Sequence, residues 1–321
     1  MARSGFTPKG GASARFGKNY LINGNFDFWQ RGLSLNTFDN SYRADRWRVD
    51  NTQANTHSRQ TAGAPEGSVN YWRTTFAASG AMQMFQAIES GVLDPIKGKV
   101  CTVSFLIRTS GTFSGNIQVR VQRNATADTS TGGTWTNITT LDVAPTASWV
   151  RHSLTFTIPD DGSANGLRVN FTTANTQSAG NIVEFAQVIL NEGDFASSFR
   201  LFREDAPSEL FACQRYYEKS YDIDVTPGTP TSSSSVIQAA INASSQARFT
   251  AEFKAPKRVA TYTFTAYSPD TGVANRVRDL NAAVDRVQIA DSLGERSAYL
   301  SADGATANQV ARAHWVADAE L

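Results

Sequence analysis

The chain has 321 residues, enough for two domains of ordinary size, with 40% apolar and only 18% charged residues. Its net charge of +1 provides no general attraction to nucleic acid or anionic lipid. No apolar run approaches the length of a membrane span, and the basic opening has no apolar stretch of the kind a secretory signal needs.

Residues 1–18, rich in Gly, Ser and Ala with scattered Arg and Lys, cannot bury enough surface to order themselves. They form either a disordered tail or an arm that orders on a partner. Over residues 19–203 the pattern is β. Period-two alternation marks strands at 101–107, 117–122, 154–158 and 167–171, and the apolar run 182–190 reads as a buried strand. Turn signals at Gly98, Gly115, Gly132-Gly133, Pro145 and Pro159-Asp160-Asp161-Gly162 separate these runs. Short strands at this spacing predict an all-β fold opening with a jelly-roll-like β-sandwich.

Residues 204–220 predict a connecting helix. Asp205 is placed to cap it, Pro207 suits the first turn and Glu209 complements the positive end. Leu210, Cys213 and Tyr217 share one face, and the helix is expected to end near Lys219. Residues 221–321 then predict a smaller C-terminal β-sandwich, with strands at 236–241, 247–253, 259–267, 297–301 and 311–317. In 274–286, Val277, Leu280 and Val284 have helical spacing, whereas Asn275, Asp279 and Asn281 favour turns. No collagen triplet, sustained heptad or internal repeat is present.

The chemistry-bearing residues are sparse. Cys101 and Cys213 sit in different kinds of segment and read as buried free thiols. His57, His152 and His314 each stand alone, with His152 expected to face outward, so no metal or other cofactor is called for. No nucleophile elbow, dinucleotide fingerprint or P-loop occurs. Two carboxylates suffice for a glycosidase, but Asp160-Asp161 reads as turn chemistry and Asp45 as a salt bridge or turn cap beside Arg46. Aromatic rings stack on the faces of sugars while polar neighbours bond their hydroxyls. Trp72, Trp135 and Tyr267, near polar loops, are the candidate carbohydrate-binding residues, whereas Trp47 and Trp149 read as core.

The stretch Asn19-Tyr20-Leu21-Ile22-Asn23-Gly24-Asn25-Phe26-Asp27-Phe28-Trp29-Gln30-Arg31-Gly32, with Ala44-Asp45-Arg46-Trp47 after it, resembles a pattern of tail-fibre and other structural proteins of tailed bacteriophages. Glu209 to Ser220 resembles that family's helix before its C-terminal domain, and Ala317-Asp318-Ala319-Glu320-Leu321 resembles its ending. The resemblance implies a jelly roll similar to carbohydrate-binding modules, a C-terminal β domain and a homotrimer on the virion. It implies a receptor-binding protein that attaches to host-surface glycan without cleaving it, made in the host cytoplasm and docked to another virion protein through residues 1–18. A purely structural virion component and a polysaccharide depolymerase are the other expectations. As structure, Asn23-Gly24 reads as a turn in which Gly24 takes a positive φ; Phe26, Phe28 and Trp47 enter a core, and Arg31 and Arg46 pair with Asp27 and Asp45.

Overall fold

A computed structural model of the protein describes residues 18–37, 40–196, 205–232 and 235–321. The docking role expected of the N-terminal arm therefore falls outside the described residues. The first domain is an antiparallel jelly-roll sandwich of two six-stranded sheets. One sheet runs β1 (Ser34–Thr37), β4 (Asn55–Gln60), β5 (Tyr71–Phe76), β12 (Ile182–Glu192), β7 (Val100–Ser110) and β10 (Val150–Thr157). The other runs β2 (Ser41–Tyr42), β3 (Arg48–Asn51), β6 (Met82–Ile88), β11 (Gly166–Thr173), β8 (Ile117–Asn124) and β9 (Thr136–Val143). Alternation decides which face goes in. Val103, Phe105 and Ile107 of β7 meet Val119 and Val121 of β8 and Val169 and Phe171 of β11, all fully buried. Each such side chain contributes about 2 kcal/mol of burial.

The run 182–190 looks continuous for a definite reason. Between Ala186 and Ile189 the register slips, with Gln187 at φ 51°. The bulge inverts the parity of β12, so Val183 and Phe185 before it and Val188 and Leu190 after it all enter the core. The opening motif docks on that bulge. Val188 N–H donates to the Gly24 carbonyl at 2.8 Å, and the Asn19 side chain bonds both Val188 and Leu190. The positive φ values of the turn belong to Asn23 (56°) and Phe26 (57°), not to Gly24 as expected. Gly24 is required for space, because a Cβ there would collide with the Val188 carbonyl oxygen. Phe26, Phe28 and Trp47 are buried as expected.

After α1 (Ser90–Leu93) in the sandwich, the connecting helix is α2 (Ala206–Gln214), capped by Asp205, whose carboxylate accepts from Ser208 N–H at 2.8 Å. It ends five residues short of the expected Lys219, because Tyr217 to Lys219 form β13 instead (Tyr217–Lys219), paired with the last strand, β21 (Val310–Asp318). In the C-terminal domain β13 and β16 (Thr263–Tyr267) flank one half of β21, and β14 (Ile237–Ala240) and β17 (Arg276–Asp279) flank the other. β18 (Val284–Val287) extends this sheet, and β15 (Ala247–Glu252), β20 (Ser297–Ala302) and β19 (Ile289–Leu293) form a second, three-stranded one. The stretch 274–286 resolves into the β17–β18 hairpin: buried Asp279 accepts from Ala282 N–H at 3.2 Å and Thr306 N–H at 2.7 Å, fixing the turn against the helical spacing. Both cysteines are buried and free.

Replacing Gly24 by Ala forces the turn off the β12 bulge. We expect a loss of about 2 kcal/mol or more in urea-unfolding stability, within the usual cost of overpacking; an unchanged midpoint would contradict this packing.

Candidate functional site

The three segments that carry the phage resemblance converge on one place, the junction between the domains. Glu320 lies between two arginines of the opening motif: its Oε1 is 3.3 Å from Arg31 Nη2, and its Oε2 pairs with Arg46 Nη1. Each arginine also stacks on one of two adjacent tyrosines, Arg46 at 3.5 Å over Tyr216 and Arg31 at 3.7 Å over Tyr217. Asp318 adds a contact to Arg31 at 3.2 Å. Behind them Asp45, fully buried, sits 3.8 Å from Arg31 and accepts from Gln30 Nε2 at 2.7 Å. Burial pushes its carboxyl up to about 6, against the pull of Arg31 and Gln30. The expected pairs, Arg31 with Asp27 and Arg46 with Asp45, are replaced: Arg31 faces Asp45, Arg46 takes Glu320, and Asp27 accepts from Asn70 at 2.7 Å. Lys219 Nζ completes the seam by donating to the carbonyls of Gln30 at 2.7 Å, Ile223 at 2.8 Å and Val225. Burial lowers its pKa to about 8.

The sequence-nominated aromatics are not brought together. Trp72, expected near a loop, is fully buried: it packs on Trp29 at 4.8 Å and Phe26 at 5.6 Å, and its indole N–H donates to Thr74. Its position one residue off the outward row Tyr71, Arg73 and Thr75 places it inside. Trp135 is half-buried at the rim of the second sheet's outer face, with the Arg168 guanidinium 4.4 Å over its ring and 4.8 Å over Phe85. Tyr267 is half-buried in the C-terminal domain, edge-on to Tyr221. Trp149, expected in the core, instead lies half-buried on the first sheet's outer face, under Arg108 at 4.6 Å and against Tyr71. There Glu184 is clamped by Arg73 and Arg108, whereas on the other face the indole N–H of Trp135 has no hydrogen-bond partner among the described residues. His152 stacks on core Phe105 rather than facing outward, since it is paired directly with it across the sheet. Among the described residues no group of three or more His, Cys, Asp or Glu is placed to hold a metal ion.

The candidate site lies where the junction meets the C-terminal domain. A cleft of about 480 Å³ is bounded by Leu210 and Gln214 of α2, by the 218–223 segment, by Gln30 and by the outward row of β15. Its apolar lining comes from Trp315, Ile223 and Ile237. Its polar lining includes Gln214, Asp222, Thr250, Glu252 and Lys254, whose side chains make no hydrogen bond with the described residues. Sequence reasoning missed these five. The available signal was the strict alternation of β15, in which Ala247, Phe249 and Ala251 turn inward and Arg248, Thr250 and Glu252 turn outward.

No protein-family model and no curated protein sequence matches the chain. Among solved structures it is similar to a family 4 carbohydrate-binding module, with 20% identity, a TM-score of 0.36, and coverage of 53% of this chain and 98% of that one. It is similar to the enzymatically active domain of tailspike protein 4 of bacteriophage CBA120, with 11% identity and a TM-score of 0.37, covering 55% of this chain and 21% of that one. A xylan-binding module from Paenibacillus barcinonensis matches at 12% identity and a TM-score of 0.33, covering 51% of this chain and 95% of that one.

Two tests address the junction. Glu320→Gln leaves two buried guanidinium groups short of their shared carboxylate, and we expect a loss of about 3 kcal/mol. Calorimetry should then separate one unfolding transition into two; a single unshifted transition would refute the coupling. Lys219 titrates lower in the folded chain than its ordinary 10.5, so the native state binds fewer protons than the unfolded state between about pH 8 and 10.5. Across that window wild-type stability should rise relative to Lys219→Met, and a flat difference would show that the ammonium is not desolvated.

Proposed function

We propose that the chain is a virion attachment protein of a tailed bacteriophage, a tail-fibre or receptor-binding subunit that holds host-surface glycan without cleaving it. The phage part rests on the resemblance of the opening, helical and closing segments. The glycan part rests on one observation: the junction cleft presents donors and acceptors that bond no other described residue, around an apolar floor. A sugar presents C–H groups and hydroxyls together, and it needs both kinds of partner in one concavity. The cleft's size falls in the ordinary range for small-ligand sites. Asp45, the carboxylate nominated for a depolymerase, is sealed in the junction, which favours holding over hydrolysis. Assembly as a homotrimer would multiply weak sites by avidity and shield sheet edges such as β18, where Val284 and Val287 are exposed.

A second reading, a structural virion component with no ligand, draws on the same junction, since all three resembling segments are used to join domains. The two readings separate on a glycan array and on intact host cells. Capture that falls at least about tenfold in a Glu252→Ala/Lys254→Ala variant, as expected for two lost hydrogen bonds to a ligand, supports the glycan reading. Absence of any capture leaves the structural one. Release of reducing ends from a captured polysaccharide would overturn the non-cleaving assignment.

A further inference from the structure

A second depression, of about 410 Å³, lies on the C-terminal domain and is lined by Gln246, Arg248, Ile289, Tyr299, Ser301 and Asp303. It is not a separate place. Its Arg248 and the junction cleft's Thr250 and Glu252 are successive outward residues of the same strand, β15. Thr250 of the cleft is paired directly across the sheet with Tyr299 of the depression, and Arg248 with Ser301. The two concavities therefore meet at the Thr250–Tyr299 pair. Within β15 the outward row from Arg248 to Glu252 extends about 13 Å at the ordinary rise of a strand.

We infer that the cleft and the depression form one elongated site that takes a polysaccharide along its length, engaging the interior of the chain rather than a terminal sugar. The inference rests on the glycan reading given above. Three features of the strip define its ligand. Tyr299 is half-exposed, and its hydroxyl has no partner among the described residues, so a ring and a phenol both remain available at the midpoint. On the jelly-roll faces, by contrast, Trp135 and Trp149 already carry arginines. Across the two linings Arg248, Lys219 and Lys254 stand against Glu218, Asp222, Glu252 and Asp303, so the site carries one net negative charge and does not select a polyanion; the fitting polymer is neutral or carries both signs. Finally, the groups presented are side chains from the face of a sheet, whereas an extended peptide adds to a sheet through main-chain groups at an edge. A chain rich in hydroxyls is the better complement.

Binding is measured by calorimetric titration of the full chain with neutral bacterial polysaccharides and with their fragments of graded length. Wild type should bind fragments long enough to reach Tyr299 about tenfold more tightly than the shortest ones, the increment of one aromatic stack with its hydrogen bond. Tyr299→Ala should erase that increment and leave short-fragment binding unchanged, while Tyr299→Phe should keep most of it. Raising the salt concentration should change little. An increment that survives Tyr299→Ala and Arg248→Ser, or no dependence on length at all, overturns the elongated site while leaving a cleft that binds short fragments. Failure of every fragment to bind overturns the glycan reading as well. Binding of unstructured peptides in place of the fragments overturns the assignment of ligand class.

Discussion

A single carboxylate, that of Glu320, bridges Arg31 and Arg46, and the rest of the molecule is arranged around it. Taking one anion and two guanidinium groups out of water is costly, and their mutual attraction repays that cost only when every remaining donor is placed. Tyr216 and Tyr217, neighbours in sequence, each stack on one of the arginines, while Arg31 Nη1 and Arg46 Nε have no hydrogen-bond partner among the described residues. Helix α2 has to stop at Gln214 for this to happen. A helix continued to Lys219 would take Tyr217–Lys219 out of their pairing with β21, the pairing that brings the Asp318–Leu321 segment alongside. The early helix end and the junction are thus one feature.

The junction also determines what the candidate site can be. Gln30 closes one side of the cleft and is itself held by Asp45, by the Tyr217 carbonyl and by Lys219. The cleft wall is therefore contributed by both domains and is rigid to the extent that the domains cannot move apart. Preorganisation of this kind lowers the entropic cost of binding a flexible polymer.

Much of the fold was legible in the sequence, because a buried strand writes a two-residue period and β7, β8, β11 and β15 all show it. The 182–190 run was read as a strand, but its bulge was not, since an inverted parity looks the same as uniform burial. Aromatic exposure was read less well. Trp72 and Trp149 exchanged their expected places because each lies near a strand end, where local composition no longer reports which face a residue takes; for Trp72 the parity shared with Phe76 carried the answer. The junction itself was not legible. Arg31 and Arg46 looked local beside Asp27 and Asp45, whereas their decisive partner stands 289 and 274 residues away. No period or spacing in a single sequence encodes such a pair. The cleft was hidden for the same reason, its walls being segments distant in sequence that only the junction brings together.

Arg168 gives the outer face of the jelly roll a particular character. Its guanidinium lies over both Phe85 and Trp135 and is tied to Gln122 at 2.7 Å, and burial brings its pKa down to about 10. The face is thus a host whose guest is covalently attached. A sugar ring arriving at Trp135 has to displace a competitor present at the effective concentration of a tethered group, on the order of millimolar or above. Weak ligands lose that contest. This intramolecular occupancy sets a threshold on the sandwich that the aromatic Tyr299 of the C-terminal domain, with no arginine over its ring among the described residues, does not impose.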